Sequence, residues 1–254
     1  MPRLKPISHE DKVDLVGHLG ELRERIVVSL AAFGVALALC FWQSVLLLEL
    51  ASTPLPAGHE RLITFGVTEP FTTTLTVSAY GALILALPVV LYQAYAFLLP
   101  AFSDRQQRSI LPLLLLVPVL FLAGVAFGYF VVLPAATSFL LNFNDAQFNI
   151  QVRASEYYSF FATTLLACGV VFQVPVGVLA VTRLGIVTVD QLKSNRRYAY
   201  LACAVAAAAL PGVDPVSMII ETIPLVLLYE LSIVLARIFT PPLTHPLGDA
   251  PSGA

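Results

Sequence analysis

Residues 23–48 read RERIVVSLAAFGVALALCFWQSVLLL. Two arginines and a glutamate stand at one end, and from Ile26 to Leu48 no residue carries a charge. A helix over that run rises about 34 Å at 1.5 Å per residue, enough for a hydrocarbon core of about 30 Å. The run is too long for the apolar core of a cleavable leader, about 7–15 residues, so it reads as a retained first span.

Working outward, five more apolar stretches follow. The chain reads as one polytopic membrane domain over residues 1–254, all-α. It has a cytoplasmic amphipathic helix at about 9–25 and spans at about 26–48, 71–99, 109–139, 156–182, 198–210 and 216–238, then a flexible tail at 240–254. The gaps between spans sort the charge. Arg3, Lys5, Lys12, Arg23 and Arg25 precede the first span, and Arg105 and Arg108 follow the second. Arg183, Lys193, Arg196 and Arg197 follow the fourth, and Arg237 closes the sixth. These are 12 of the 14 basic residues; the alternate gaps hold only Arg61 and Arg153. Lys and Arg resist translocation, so both ends are expected on the cytoplasmic side. Composition agrees: 58% hydrophobic and 12% charged, against about 45–50% and 25% in soluble domains. No basic block is long enough for a phosphate-binding arm, so nucleic acid is not an expected partner.

Local punctuation refines this reading. Ser8 with Asp11 is a capping pattern, and Leu15, Leu19, Leu22 and Ile26 recur at helical spacing after it. Pro54, Pro56 and Gly58 mark an outer loop, and Pro70 suits the first turn of span two. Pro88, Pro112, Pro118, Pro134, Pro175 and Pro224 predict kinked helices. Thr188 and Gln191 predict a capping box on a short inner helix. Span five, Tyr198–Leu210, is only about 20 Å long at 1.5 Å per residue. It ends at Pro211-Gly212-Val213-Asp214-Pro215, so the last two spans form a hairpin mismatched to an ordinary bilayer.

Polar residues inside the spans are the candidate functional groups. Gln173 sits beside Pro175 in span four; Glu221 and Glu230 sit in span six, about 180° apart around the helix. Gln173 and Glu230 fall at similar depths. Two readings stand: a Gln–Glu hydrogen bond acting as glue, worth about 0.6–2 kcal/mol, or groups facing a groove where a polar partner arrives. Glu21 and Arg25 make an i,i+4 pair. Cys40, Cys168 and Cys203 lie in apolar stretches without paired spacing and read as small hydrophobes. There is no phosphate-cradling Gly-Lys-Ser/Thr loop, no HExxH or Cys/His cluster and no Gly-x-Ser-x-Gly elbow. No catalytic residue, cofactor or metal is therefore expected, and the work must draw on an ion gradient or on binding energy.

At this point a family resemblance appears. His18 through Arg25 resembles the opening motif of TatC, the six-span core of the twin-arginine translocase. Thr68-Glu69-Pro70-Phe71 and Leu91 through Pro100 resemble the flanks of its second span. Phe127 through Pro134, Phe172 through Val176, and Pro211 through Asp214 resemble its third span, fourth span and last turn. The likeness runs from about residue 15 to residue 239.

The resemblance implies a non-enzymatic subunit of the bacterial inner membrane with both termini cytoplasmic. It implies an open, concave wall of six kinked helices that exports folded proteins by the proton-motive force. The implied partners are twin-arginine signal peptides, single-span TatA- and TatB-type subunits, lipid, and further copies in a multi-copy complex. Signal binding would fall on Glu21, Arg23, Phe97, Asp104 and Gln106, because two guanidinium groups require acceptors. Gln106 departs from an acidic family position, and Asp104 stands nearby to supply charge. Partner docking and intramembrane polarity would fall on Gln173, Pro175, Asp214, Glu221 and Glu230. Gln173 replaces a glutamate common in the family, so Glu230 or Glu221 is expected to supply the ionisable group. A small-solute secondary transporter is the rival reading, although no internal repeat is visible.

Overall fold

The computed structural model describes residues 9–56, 62–98, 104–143, 147, 150–183, 185–210 and 214–239, and their side chains except at 9–19, 98, 104–115 and 239. The Ser8 cap, the tail at 240–254, the turn residues Pro211 and Gly212, and the side chains of Asp104 and Gln106 lie outside the described residues. The elements are α1 (His9–Trp42), α2 (Ser44–Ser52), α3 (Glu69–Leu98), α4 (Asp104–Phe127), a π-turn (Gly128–Val132), α5 (Leu133–Asn142), α6 (Ala154–Val171), α7 (Val174–Arg183), α8 (Val189–Ser194), α9 (Arg196–Ala209) and α10 (Pro215–Phe239). The chain is an all-α membrane protein. Among the described residues, five stretches are long and apolar enough to cross a bilayer: Gly20–Trp42, Glu69–Phe97, Leu116–Asn142, Ala154–Arg183 and Pro215–Ile238. The 14-residue α9 is too short to count by that measure.

The first span differs from the sequence expectation. The amphipathic segment and the span form one continuous 34-residue helix, α1. It ends at Trp42 rather than Leu48, because Gln43 leaves helical geometry at φ −98° and ψ 28°. The break lets α2 turn and bury Ala51 against a cluster that includes Leu55, Val77, Tyr157 and Tyr158. Tyr157 donates its hydroxyl to the Ala51 carbonyl at 2.6 Å, satisfying an acceptor near the end of α2. Alongside, α1 packs on α3 through Ala36, Cys40, Ala82 and Ala86, small residues that let two backbones approach closely.

Proline positions set the breaks within spans three and four. The π-turn lies immediately before α5, with Pro134 in the first turn of that helix. A ring without an N–H is accommodated by widening the preceding turn. Pro175 splits span four into α6 and α7, with the break at Phe172–Gln173. Helix α4 crosses α6 at close range through glycines. A Cβ at Gly124 would stand 2.5 Å from the Cys168 carbonyl oxygen, and one at Gly169 would stand 2.5 Å from the Phe121 ring.

Helix α7 closes with Gly185 at φ 73°. Ile186 N–H reaches the Val181 carbonyl at 3.2 Å and Gly185 N–H reaches Thr182 at 3.1 Å; this left-handed closure favours glycine. The expected capping box is present: Gln191 N–H donates to Thr188 Oγ1 at 3.2 Å, and Thr188 N–H donates to Gln191 Oε1 at 2.9 Å.

Candidate functional site

Three polar centres emerge, one between α1 and α3, one within α6, α7, α9 and α10, and one joining the starts of α3 and α6. Glu21 and Arg25 lie one turn apart on α1, hence on one face. Arg25 Nε and Nη2 donate to Glu21 Oε1 at 3.1 and 2.5 Å. The same guanidinium sends Nη1 across to Gln93 Oε1 on α3, at 3.0 Å. The pair is half-buried, with side-chain exposures of 23% for Arg25 and 35% for Glu21. Below this polar bridge an apolar groove of about 680 Å³ opens between α1 and α3, lined by Leu22, Ile26, Phe33, Val90, Ala94 and Phe97 among others. The geometry therefore offers a guanidinium-shaped acceptor set above an apolar slot.

Of the residues singled out from the resemblance, Glu21 and Phe97 share this site. Arg23 is exposed on α1 and takes no part in the bridge. Asp104 and Gln106 lie on the first turn of α4, with side chains outside the described residues. Gln93 and Arg25 received no binding role from the sequence. A signal for Gln93 existed: it precedes Phe97 by one helical turn inside the Leu91–Pro100 motif, which places both on the same face.

The second centre is less uniform than expected. The weighed Gln173–Glu230 hydrogen bond is not made. Gln173 donates Nε2 to the Val117 carbonyl of α4 at 3.2 Å, and its Oε1 has no hydrogen-bond partner among the described residues. Glu230 accepts instead from Arg196 Nη2 at 2.8 Å and from the Tyr200 hydroxyl at 2.6 Å, pinning α10 to α9. Asp214 caps α10, accepting from Ser217 N–H at 2.7 Å and from its hydroxyl at 2.5 Å; this is the ordinary N-cap arrangement. Glu221 is the exception. It is 2% exposed, and neither carboxyl oxygen has a hydrogen-bond partner among the described residues. Buried carboxyl groups are normally satisfied, so Glu221 is held at a cost.

A third cluster at the opposite end of α3 is fully bonded. Glu69 accepts from Arg153 Nε and Ser155 Oγ, both at 2.8 Å, and from the N–H groups of Phe65 at 2.7 Å and Gly66 at 3.3 Å. Arg153 also lies over the Phe65 ring, 5.6 Å from its centre. The Glu69 carboxylate raises the Arg153 guanidinium above its ordinary range. This is a clasp between the loop before α3 and the start of α6.

Comparison with known proteins identifies the family. A model of the family described as TatC, Sec-independent protein translocase protein, matches residues 17–224. The Sec-independent protein translocase protein TatC of Desulforapulum autotrophicum is 37% identical over 233 residues, covering 91% of this chain and 86% of that one. The chloroplastic TATC of Arabidopsis thaliana is 36% identical over 229 residues, covering 90% and 67%. Two solved structures of a twin arginine translocase receptor, TatC, superpose with TM-scores of 0.73 and 0.74 at 33% and 34% identity. They cover 88% and 86% of this chain and nearly all of theirs. With the family model matching from within α1 through the proline breaks into the first part of α10, the chain belongs to the TatC family of Sec-independent protein translocase subunits.

Proposed function

We propose that Glu21, Gln93 and Phe97 form a receptor site for the paired arginines of an export leader peptide. The site would face the cytoplasm in a bacterial inner membrane, with six spans and both chain ends on that side. The observation that carries the reading is the way Glu21 and Gln93 already hold a guanidinium. Carboxylate and amide oxygens set about a planar fork recognise arginine better than lysine, whose ammonium is a point charge. Export leaders carry an apolar segment of about 7–15 residues after their basic end, and the slot from Leu22 to Phe33 suits one face of it. Arg23 and, from the start of α4, Asp104 and Gln106 stand near enough in sequence to line the approach. Binding of an Arg-Arg leader peptide to the purified full chain in lipid nanodiscs tests this, with the Lys-Lys peptide as control. Equal affinity for the two peptides ends the proposal.

The second centre supports a separate role. Gln173 and Glu221 keep unsatisfied polar atoms inside the membrane-spanning bundle, which suits docking of the single-span subunits that complete the translocase. Glu221, rather than Glu230, has no hydrogen-bond partner among the described residues and supplies the ionisable function that Gln173 lacks. The kink at Pro175 brings Gln173 against α4. Transport of folded cargo by the proton-motive force needs no nucleotide site in this chain.

A further inference from the structure

Arg25 stands where an arginine of the ligand would stand. Three of its donors are taken: Nε and Nη2 by Glu21 Oε1, and Nη1 by Gln93 Oε1. The acceptors come from two helices, and the guanidinium spans them at the mouth of the groove that Leu22, Ile26, Ala94 and Phe97 line. Resting on the receptor reading above, we propose that Arg25 is a resident substitute for the signal arginine. It fills the Glu21–Gln93 cradle in the empty receptor and swings out before an incoming arginine takes both acceptors.

The physical case has three steps. A carboxylate left half-buried at the bilayer rim without a counter-charge is costly, so the empty site is stabilised by a cation of its own. Exchange of one guanidinium for another conserves charge and hydrogen bonds, so an Arg-Arg leader displaces the resident at little net cost. A lysine cannot span both acceptors as a fork does, so displacement by Lys-Lys leaves the Gln93 oxygen unmet. The same side chain lines the apolar slot, so its departure also widens the path for the segment that follows the arginines.

This device sets stringency rather than intrinsic preference. If the cradle is free only a fraction of the time, every ligand's apparent dissociation constant is raised by the same factor. Weak leaders then fall below useful occupancy while good ones remain. The restriction also acts on association, because a bound leader no longer competes with the resident.

The test compares wild type, R25K and R25Q, full-length in nanodiscs, by leader-peptide binding kinetics. R25K keeps the positive charge and weakens the fork, so it separates displacement from simple charge repulsion. Both variants are expected to bind Arg-Arg and Lys-Lys leaders about three- to tenfold more tightly. The gain should appear in the association rate, with dissociation within about twofold of wild type and the Arg-to-Lys preference unchanged. Tighter binding by R25Q alone would assign the effect to charge repulsion and overturn the proposal. So would unchanged or weaker binding by R25K at an unaltered melting temperature, which would make Arg25 a brace that positions Glu21. A wild-type protein that does not distinguish Arg-Arg from Lys-Lys refutes the receptor reading itself, a result separate from either of these.

Discussion

Glu69 Oε1 and Arg153 Nε meet at 2.8 Å although the residues are 84 apart in the chain. The contact joins the first residue of α3 to the residue preceding α6. It is backed by a two-way backbone bridge, Ile63 N–H to Val152 O and Ala154 N–H to Ile63 O, both at 2.9 Å. The carboxylate gathers four donors from two segments, residues 65–66 and residues 153–155. Removing the acceptor deprives all four donors, whereas removing the guanidinium leaves Oε1 its Ser155 donor and Oε2 its two N–H donors, and the asymmetry favours keeping the acceptor. E69A should therefore lower the melting temperature of the detergent-solubilised protein more than R153Q does. Equal losses would show that the ion pair alone, rather than the gathered loop, holds this end together.

The glycines of the α4–α6 crossing make a second stability test. G169A drives a methyl into the Phe121 ring, and overpacking of this kind costs about 1–3 kcal/mol. Gly34 in α1 has nothing within 4 Å of a built Cβ, so G34A should be neutral or stabilising by up to about 1 kcal/mol. Melting temperatures of the two variants check both values. A loss from G34A comparable to that from G169A would contradict the close crossing.

Much of this architecture was legible from the chain, for reasons tied to particular residues. Pro175 removes a donor and adds a clash, so the α6–α7 break follows from local chemistry. Thr188 and Gln191 are a reciprocal cap whose two bonds are set by their spacing alone. The short α9 follows from Arg196 and Arg197 on one side and Pro211 on the other. What stayed hidden depended on contacts distant in sequence. Nothing local in Gln43 announces a break; it forms because α2 gains burial for Ala51. Glu69 finds Arg153 only through the packing of α3 beside α6. The Gln173–Glu230 pairing failed because similar depth does not mean facing sides: Gln173 turns to Val117, and Glu230 turns to Arg196 and Tyr200. Gln93 became visible as a site residue only when α3 was laid against α1.

For the receptor site, E21Q removes the charge that binds a guanidinium while keeping the side chain's shape. Affinity for an Arg-Arg leader should fall about tenfold or more, with less effect on Lys-Lys. Q93L should weaken Arg-Arg binding by a smaller factor, because it removes a neutral acceptor. Peptide titration by fluorescence anisotropy measures both. Losses of equal size for the two peptides would mean that Glu21 acts as a general cation sink and confers no discrimination.

The two carboxylates of α10 should part company. E230Q weakens the bonds to Arg196 and Tyr200, so it should loosen the α9–α10 hairpin and lower the melting temperature. E221L replaces a buried carboxyl that has no hydrogen-bond partner among the described residues. Removing such a group recovers about 1–3 kcal/mol, so this variant should melt higher than wild type. If Glu221 serves docking or transport, the same variant should lose export of a folded reporter, with E221Q intermediate because it keeps a polar head. A stabilised E221L protein that exports normally would reduce Glu221 to a tolerated defect. A destabilised one would show that the carboxyl has partners in the assembled translocase or in bound water. Gain of stability with loss of transport is the outcome expected of a polar group kept for function at the expense of the fold.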